Sequence, residues 1–125
     1  MTFFKISLIS FAIISIFSCT KNKESVLLLK EVDLGTVSSN DTVHSNIEIT
    51  NLMKENLIIK KASSSCGCTS ITIKDSIVKP NSTTRLDFDF IADFNGEKGN
   101  TSKAIVLETN SPQRFHEIII NAKVE

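Results

Sequence analysis

From residue 26 to residue 124 apolar and polar positions alternate with a period of two, and no apolar stripe of helical period reaches useful length. The cleanest case is 85–90, where Leu86, Phe88 and Phe90 fall on one face and Arg85, Asp87 and Asp89 on the other. At 43–50, Val43, Ile47 and Ile49 share a side (Ser45 is the exception), with His44, Asn46 and Glu48 opposite. Residues 115–124 gather Ile118, Ile120, Ala122 and Val124 on one side. Extended stretches at 26–37, interrupted at Gly35, at 57–62, around Ile71 and Ile73, and at 103–109 bring the total to about seven strands. Turn chemistry separates them: Ser38-Ser39-Asn40-Asp41, the polar run 51–56, the loop 75–82 with Pro80, the run 93–99, and Asn110-Ser111-Pro112. The pattern predicts an all-β chain, an immunoglobulin-like antiparallel β-sandwich, whose usual size is roughly 100 residues. There is no tryptophan, and the cysteines of this region, Cys66 and Cys68, are neighbours, so an antibody-type disulfide joining the sheets is ruled out. The core has to be built from isoleucine, leucine, valine and phenylalanine.

The first residues follow another pattern. Lys5, an apolar run over 6–17, the small Ser18 and then Cys19 read as a secretory signal. The run is shorter than the about 20 apolar residues that a membrane-spanning helix needs. Polar residues Thr20 to Ser25 follow at once. Ile16-Phe17-Ser18-Cys19 resembles the bacterial lipobox, whose cysteine is lipidated and becomes the first mature residue; Phe17 stands where a small or aliphatic residue is usual. The expected organisation is a lipoprotein signal peptide at 1–18, a lipidated Cys19 with a short tether through 25, and an immunoglobulin-like domain at 26–125. Each buried CH₂ of an acyl chain such as palmitate contributes ~0.8 kcal/mol, so several chains on one cysteine anchor effectively for good. The expected address is the cell envelope, at the outer membrane facing the periplasm or the cell surface. Thr20 is not the aspartate that retains some lipoproteins at the inner membrane.

Charge narrows the partners. Removing 1–18 takes Lys5 from the 14 basic residues and leaves 13 against 14 acidic ones. No basic stripe remains to neutralise phosphates, which argues against a nucleic-acid partner. The expected partners are the membrane, through the N-terminal lipid, and an unidentified protein or glycan.

Ser65-Cys66-Gly67-Cys68-Thr69 is the stretch with the most chemistry. One intervening residue is too few for a zinc-ribbon or thioredoxin motif, which use two. On a regular strand, positions i and i+2 hold their Cα atoms about 6.5 to 7 Å apart, at the limit for a disulfide. Gly67 can bend the chain and relax that limit. Three states are open: a strained and therefore reducible disulfide, two thiols, or two thiolates offered to a soft metal such as Cu(I). The compartment beyond the inner membrane favours the disulfide. Because Cys66 and Cys68 are out of phase with Ile71 and Ile73, a bend or bulge near Gly67 is expected.

The other candidates are weaker. A metal site would need a third ligand, and the two histidines, His44 and His116, read as residues of solvated strand faces. Lys60 and Lys61 lie near the cysteines in sequence, but no helix N-terminus is at hand to lower a thiol pKa. No Gly-x-Ser-x-Gly elbow occurs, and neither histidine has an evident orienting acid, so no hydrolase is expected. Asp93-Phe94-Asn95-Gly96-Glu97 lacks the glycine and the glutamate of a calcium loop, having Lys98 and Ala104 at those positions, and reads as a hairpin turn. Asp41-Thr42-Val43 and Asp75-Ser76-Ile77 resemble the Bacteroidetes O-glycosylation signal, with Thr42 and Ser76 as acceptors.

Taken together, Asp33-Leu34-Gly35-Thr36-Val37, Ile49-Thr50-Asn51, Leu57-Ile58-Ile59, Ser65-Cys66-Gly67-Cys68-Thr69 and Thr109-Asn110-Ser111-Pro112 resemble the bacterial family catalogued as domain of unknown function 1573, over about residues 32–124. Leu52-Met53 replaces the family's usual threonine-glycine turn, and Pro80-Asn81 its usual proline-glycine. The resemblance implies a domain shaped like those of major sperm protein and cilia-associated proteins, often lipid-anchored or periplasmic and common in Bacteroidetes. It implies no activity. The expected function is a lipid-anchored extracytoplasmic binding or assembly module without cofactor or catalysis. The alternative is a thiol-redox or copper-handling protein working through Cys66 and Cys68.

Overall fold

The structure, a computed structural model, describes residues 23–93, 96 and 98–125. The signal segment, Cys19 and the first part of the tether lie outside the described residues, as does Asn95 of the expected 95–96 hairpin turn.

Among the described residues nine strands run in the order β1 (Val26–Leu27), β2 (Glu31–Val37), β3 (Thr42–Asn51), β4 (Leu57–Ser64), β5 (Thr69–Ile73), β6 (Ile77–Val78), β7 (Thr83–Ile91), β8 (Gly99–Thr109) and β9 (Phe115–Val124). Seven are full strands, and β1 and β6 are two-residue pieces that the alternation could not announce. One sheet has the order β1-β3-β7-β5, the other β2-β9-β8-β4-β6. The expected stretch 26–37 is therefore two strands in two sheets. Its interruption at Gly35 is a bulge: the register slips between Asp33 and Thr36, Gly35 sits at φ 70°, and its N–H donates to Asp33 Oδ1 at 2.8 Å. The β2–β9 ladder is parallel, a departure from the antiparallel expectation. No hairpin joins these two strands; β2 arrives from the opposite sheet, so nothing forces it antiparallel.

The period-two faces meet between the sheets. Ile47, Ile49, Leu86, Phe88 and Phe90 from one sheet pack toward Ile105, Leu107, Ile118 and Ile120 of the other, all with at most 1% of their surface exposed. Each such side chain contributes roughly 1.5–3 kcal/mol of burial, which is ample to hold two sheets without tryptophan or an inter-sheet disulfide.

Polar residues fix the ends. Asn51, expected in a solvated turn, closes β3 and is fully buried. Its Nδ2 donates to the Glu55 and Val78 carbonyls at 2.7 and 2.9 Å, and its Oδ1 accepts from the Met53 N–H at 2.9 Å. One side chain thus shapes the 52–56 turn and ties β6 to it. The loop expected at 75–82 is drawn into the second sheet because β6 pairs with Leu57 and Ile58 of β4. Its Asn81, in the place of a family glycine, adopts φ 59°, a left-handed conformation that asparagine tolerates, so the turn survives the replacement. Asn110 clamps the start of β4, accepting from the Ile58 N–H at 2.8 Å and donating to the Asn56 carbonyl at 3.0 Å.

Candidate functional site

The cysteine pair lies in the turn that carries the chain from one sheet to the other. The last tie to the β4 side is Ser65, whose N–H donates to the Ala104 carbonyl at 2.8 Å and whose Oγ accepts from the Ala104 N–H at 3.0 Å. The first tie to the other sheet is the Ile91 N–H donating to the Cys68 carbonyl at 2.8 Å. Between these anchors the backbone bends, so the cysteines are not on a strand, and their Cα atoms come to 5.3 Å with the sulfurs bonded. That separation lies within the ordinary range for a disulfide. The positive-φ glycines are Gly35, Gly96 and Gly99, so Gly67 makes its bend at ordinary angles. The Ser64 hydroxyl spans the turn, directed at the Cys66 carbonyl and, at 3.2 Å, the Thr69 carbonyl. Cys68 is 1% exposed and Cys66 half-buried, so the bridge joins a core residue to one nearer the surface. The Glu108 carboxyl is held below its usual range first by the Arg114 guanidinium, bonded at 2.6 Å, against a smaller opposing effect of desolvation, with Lys60 and Lys61 adding their charge.

The two histidines part company. His44 is on the solvated face, as expected, but it has an acid: its Nδ1 lies 2.5 Å from Asp89 Oδ1, across the β3–β7 pair. Ser70 of β5 donates to the other Asp89 oxygen at 3.2 Å. The carboxylate sits between serine and histidine, so the histidine cannot take a proton from the serine, and the row is not a hydrolytic triad. The hydrogen bond from His44 holds Asp89 below the usual carboxylate range, partly opposed by desolvation and helped by Ser70. His116 is on the inward face, 7% exposed, which corrects the solvated-face expectation. Its Nε2 lies 3.1 Å from Ser111 Oγ, which in turn donates to the Gln113 carbonyl at 2.6 Å. Burial lowers the His116 pKa from its ordinary 6.5, the Gln113 carbonyl raises it somewhat and Lys30 lowers it. This pair latches the 109–113 turn, and His116 lines one wall of an open cleft of about 690 Å³ with Val26, Leu28 and Lys30. Among the described residues no three potential metal ligands are gathered together.

Thr42 and Ser76 are both exposed, each next to an edge of a sheet. The edges themselves are unequal. β3 pairs with β7 without a slip from Thr42↔Ile91 to Thr50↔Thr83. The Ala92 N–H donates to the Asp41 carbonyl, and the Asn51 N–H to the Ser82 carbonyl, so odd-numbered peptide groups of β3 face β7. By the alternation of an antiparallel ladder, those of Thr42, His44, Asn46 and Glu48 point the other way. On that side β1 covers only Thr50 and Asn51. Among the described residues, 42–48 is therefore a regular strand edge with no backbone partner. Val43, within this stretch, is half-buried and packs against the core. Sequence alternation located β3 but could not show which of its sides is open.

Comparison with known proteins fits this picture. No curated protein matches the chain in sequence. A protein of unknown function from Porphyromonas gingivalis W83 is similar at TM-score 0.72 and 20% identity, over 78% of this chain and 46% of that one, so the chain spans about half its length. PapD-like domain 7 of human CEP192 is similar at TM-score 0.63 and 11% identity, over 81% of this chain and 85% of that one. The YadV chaperone is similar at TM-score 0.62 and 10% identity, over 82% of this chain and 53% of that one. The fold is the immunoglobulin-like sandwich of PapD-like and major-sperm-protein domains. A family model described as "Protein of unknown function (DUF1573)" matches residues 27–124, and the chain belongs to that family.

Proposed function

We propose that this DUF1573 domain is a binding or assembly module, held at the cell envelope by a lipid on Cys19, that recognises an extended polypeptide by adding its strand to the open edge of β3. The observation that carries the reading is the unbroken β3–β7 register beside an edge that β1 covers only at its end. An added strand would satisfy the outward peptide groups of 42–48, and its alternate side chains would pack near Val43. YadV, a chaperone, has the same fold, which is compatible with polypeptide binding. The lipid anchor rests on the lipobox-like Ile16-Phe17-Ser18-Cys19 and fits a domain whose tether begins at its first strand. Glycans on Thr42 and Ser76 would project from exposed positions; side chains stand off the sheet, so a glycan on Thr42 leaves the in-plane hydrogen-bonding direction clear.

The thiol alternative draws on Cys66, which is only half-buried. Against it stand the burial of Cys68 and its bond to Cys66, which leave no free thiol in this turn.

The test is Asn46→Pro in the full chain. The Asn46 N–H points into the open edge, so proline deletes a docking bond and leaves the β7 ladder whole. Partner capture from envelope extracts should fall at least tenfold, while a Cys66→Ser/Cys68→Ser double variant should retain it. The reverse pattern would move the function to the cysteine turn.

A further inference from the structure

Resting on that open-edge reading, we infer that the strand added to β3 is β3 of a second copy of this chain, paired antiparallel about a two-fold axis through Ser45. The exposed stretch is its own complement. Its middle is Ser45, and pairing about that residue sets Thr42 against Glu48 and His44 against Asn46 of the second copy, in both directions. All four residues with outward peptide groups then meet one another, and none is left facing a side whose N–H and C=O point away. Shifting the centre to Asn46 would bring Thr42 against Thr50, whose peptide group β1 already occupies.

Side chains agree with the register. On the core-facing side Val43 stands opposite Ile47 of the second copy and Ser45 opposite itself, so no charged side chain is brought to that side. On the solvated side Glu48 meets a threonine and His44 an asparagine, so no like charges stand opposite each other. The other edges are shorter or carry obstacles to such pairing: β5, the far edge of the same sheet, has five residues and its Thr69 carbonyl already accepts from the Ser64 hydroxyl at 3.2 Å. β2 has the Gly35 bulge and the charges of Glu31 and Asp33, and β6 is two residues long with Pro80 just beyond it. The open stretch of β3 has no bulge, proline or lysine. A seam of this length is smaller than the about 1,200–2,000 Å² of a stable interface, so the pair is weak in dilute solution. Two copies on one membrane meet at a far higher effective concentration.

In a two-fold, non-hydrogen-bonded pair the central Cα atoms lie about 4.5 Å apart, within disulfide reach. The full chain carrying Ser45→Cys, in phospholipid vesicles under mild oxidation, should therefore cross-link to a covalent dimer seen on a non-reducing gel. Glu117→Cys, on the outer face of the other sheet, should cross-link at least tenfold less. Adding Asn46→Pro or, should that variant fold poorly, Asn46→Lys to Ser45→Cys should cut the dimer at least tenfold. No Ser45→Cys dimer above the Glu117→Cys level, or one indifferent to Asn46, overturns the pairing. If the pairing fails while Asn46→Pro still abolishes capture of another envelope protein, the open-edge reading stands and only the second copy as occupant falls. If both fail, so does the edge.

Discussion

β2 and β3 are neighbours in sequence and edges of opposite sheets, yet the chain treats them differently. β2 pairs in parallel with β9, carries alternating charge and breaks its own register at Gly35, where φ is 70°. β3 holds one register over its whole length and sinks Ile47, Ile49 and Asn51 into the core, while among the described residues its far side is bare over 42–48. An edge strand with free N–H and C=O groups invites association unless something blunts it. The difference shows that protection here is local, placed on one edge and withheld from the other, and this is the physical ground for assigning recognition to β3.

The comparison can be broken most forcefully through the core. Ile47→Ala empties a fully buried site on β3 and should cost about 3 kcal/mol in urea unfolding, whereas Val32→Ala on the half-buried face of β2 should cost about 1. Equal losses would mean that the two strands are equally seated. The opposite flank gives the next effect. Cys66→Ser/Cys68→Ser opens a loop of only three residues, for which chain entropy predicts a loss of about 1.6 kcal/mol. A much larger loss would mean that the disulfide organises the sheet crossing rather than trimming it. Gly35→Ala tests the blunted edge itself: a Cβ there meets nothing within 4 Å, so the cost is conformational alone, about 1 kcal/mol by melting. The smallest effect is a slope. The folded pKa of His116 is depressed below 6.5, so the unfolded chain takes up that proton at a higher pH than the folded one. Stability should be complete above about pH 6.5 and decline as pH falls through that value toward the folded pKa, and His116→Gln should remove this part of the decline.

Much of the fold could be read from parity alone. The faces of 85–90 and 115–124 are those observed, since a half-buried strand writes its burial into every second residue. The same parity places His116 inward with Ile118 and Ile120, and position outweighs polarity there. Asn51 was misplaced for the same reason, because only the tertiary fold brings the Glu55 and Val78 carbonyls to its amide. The short strands β1 and β6 have no period to detect, and the His44–Asp89 contact joins residues 45 apart through a register that no local pattern encodes. The open edge was illegible for the deepest reason. Which side of a strand lacks a neighbour depends on the order of strands in the sheet, and alternation is silent about order.

Residue-resolved amide hydrogen exchange, on the chain at low micromolar concentration, addresses the unpaired edge most directly. The N–H groups of His44, Asn46 and Glu48 should exchange orders of magnitude faster than those of Val43, Ser45, Ile47 and Ile49, a two-residue alternation along a single strand. Uniform protection along β3 at that dilution would contradict it, because a bonded far side leaves no edge for a partner to join.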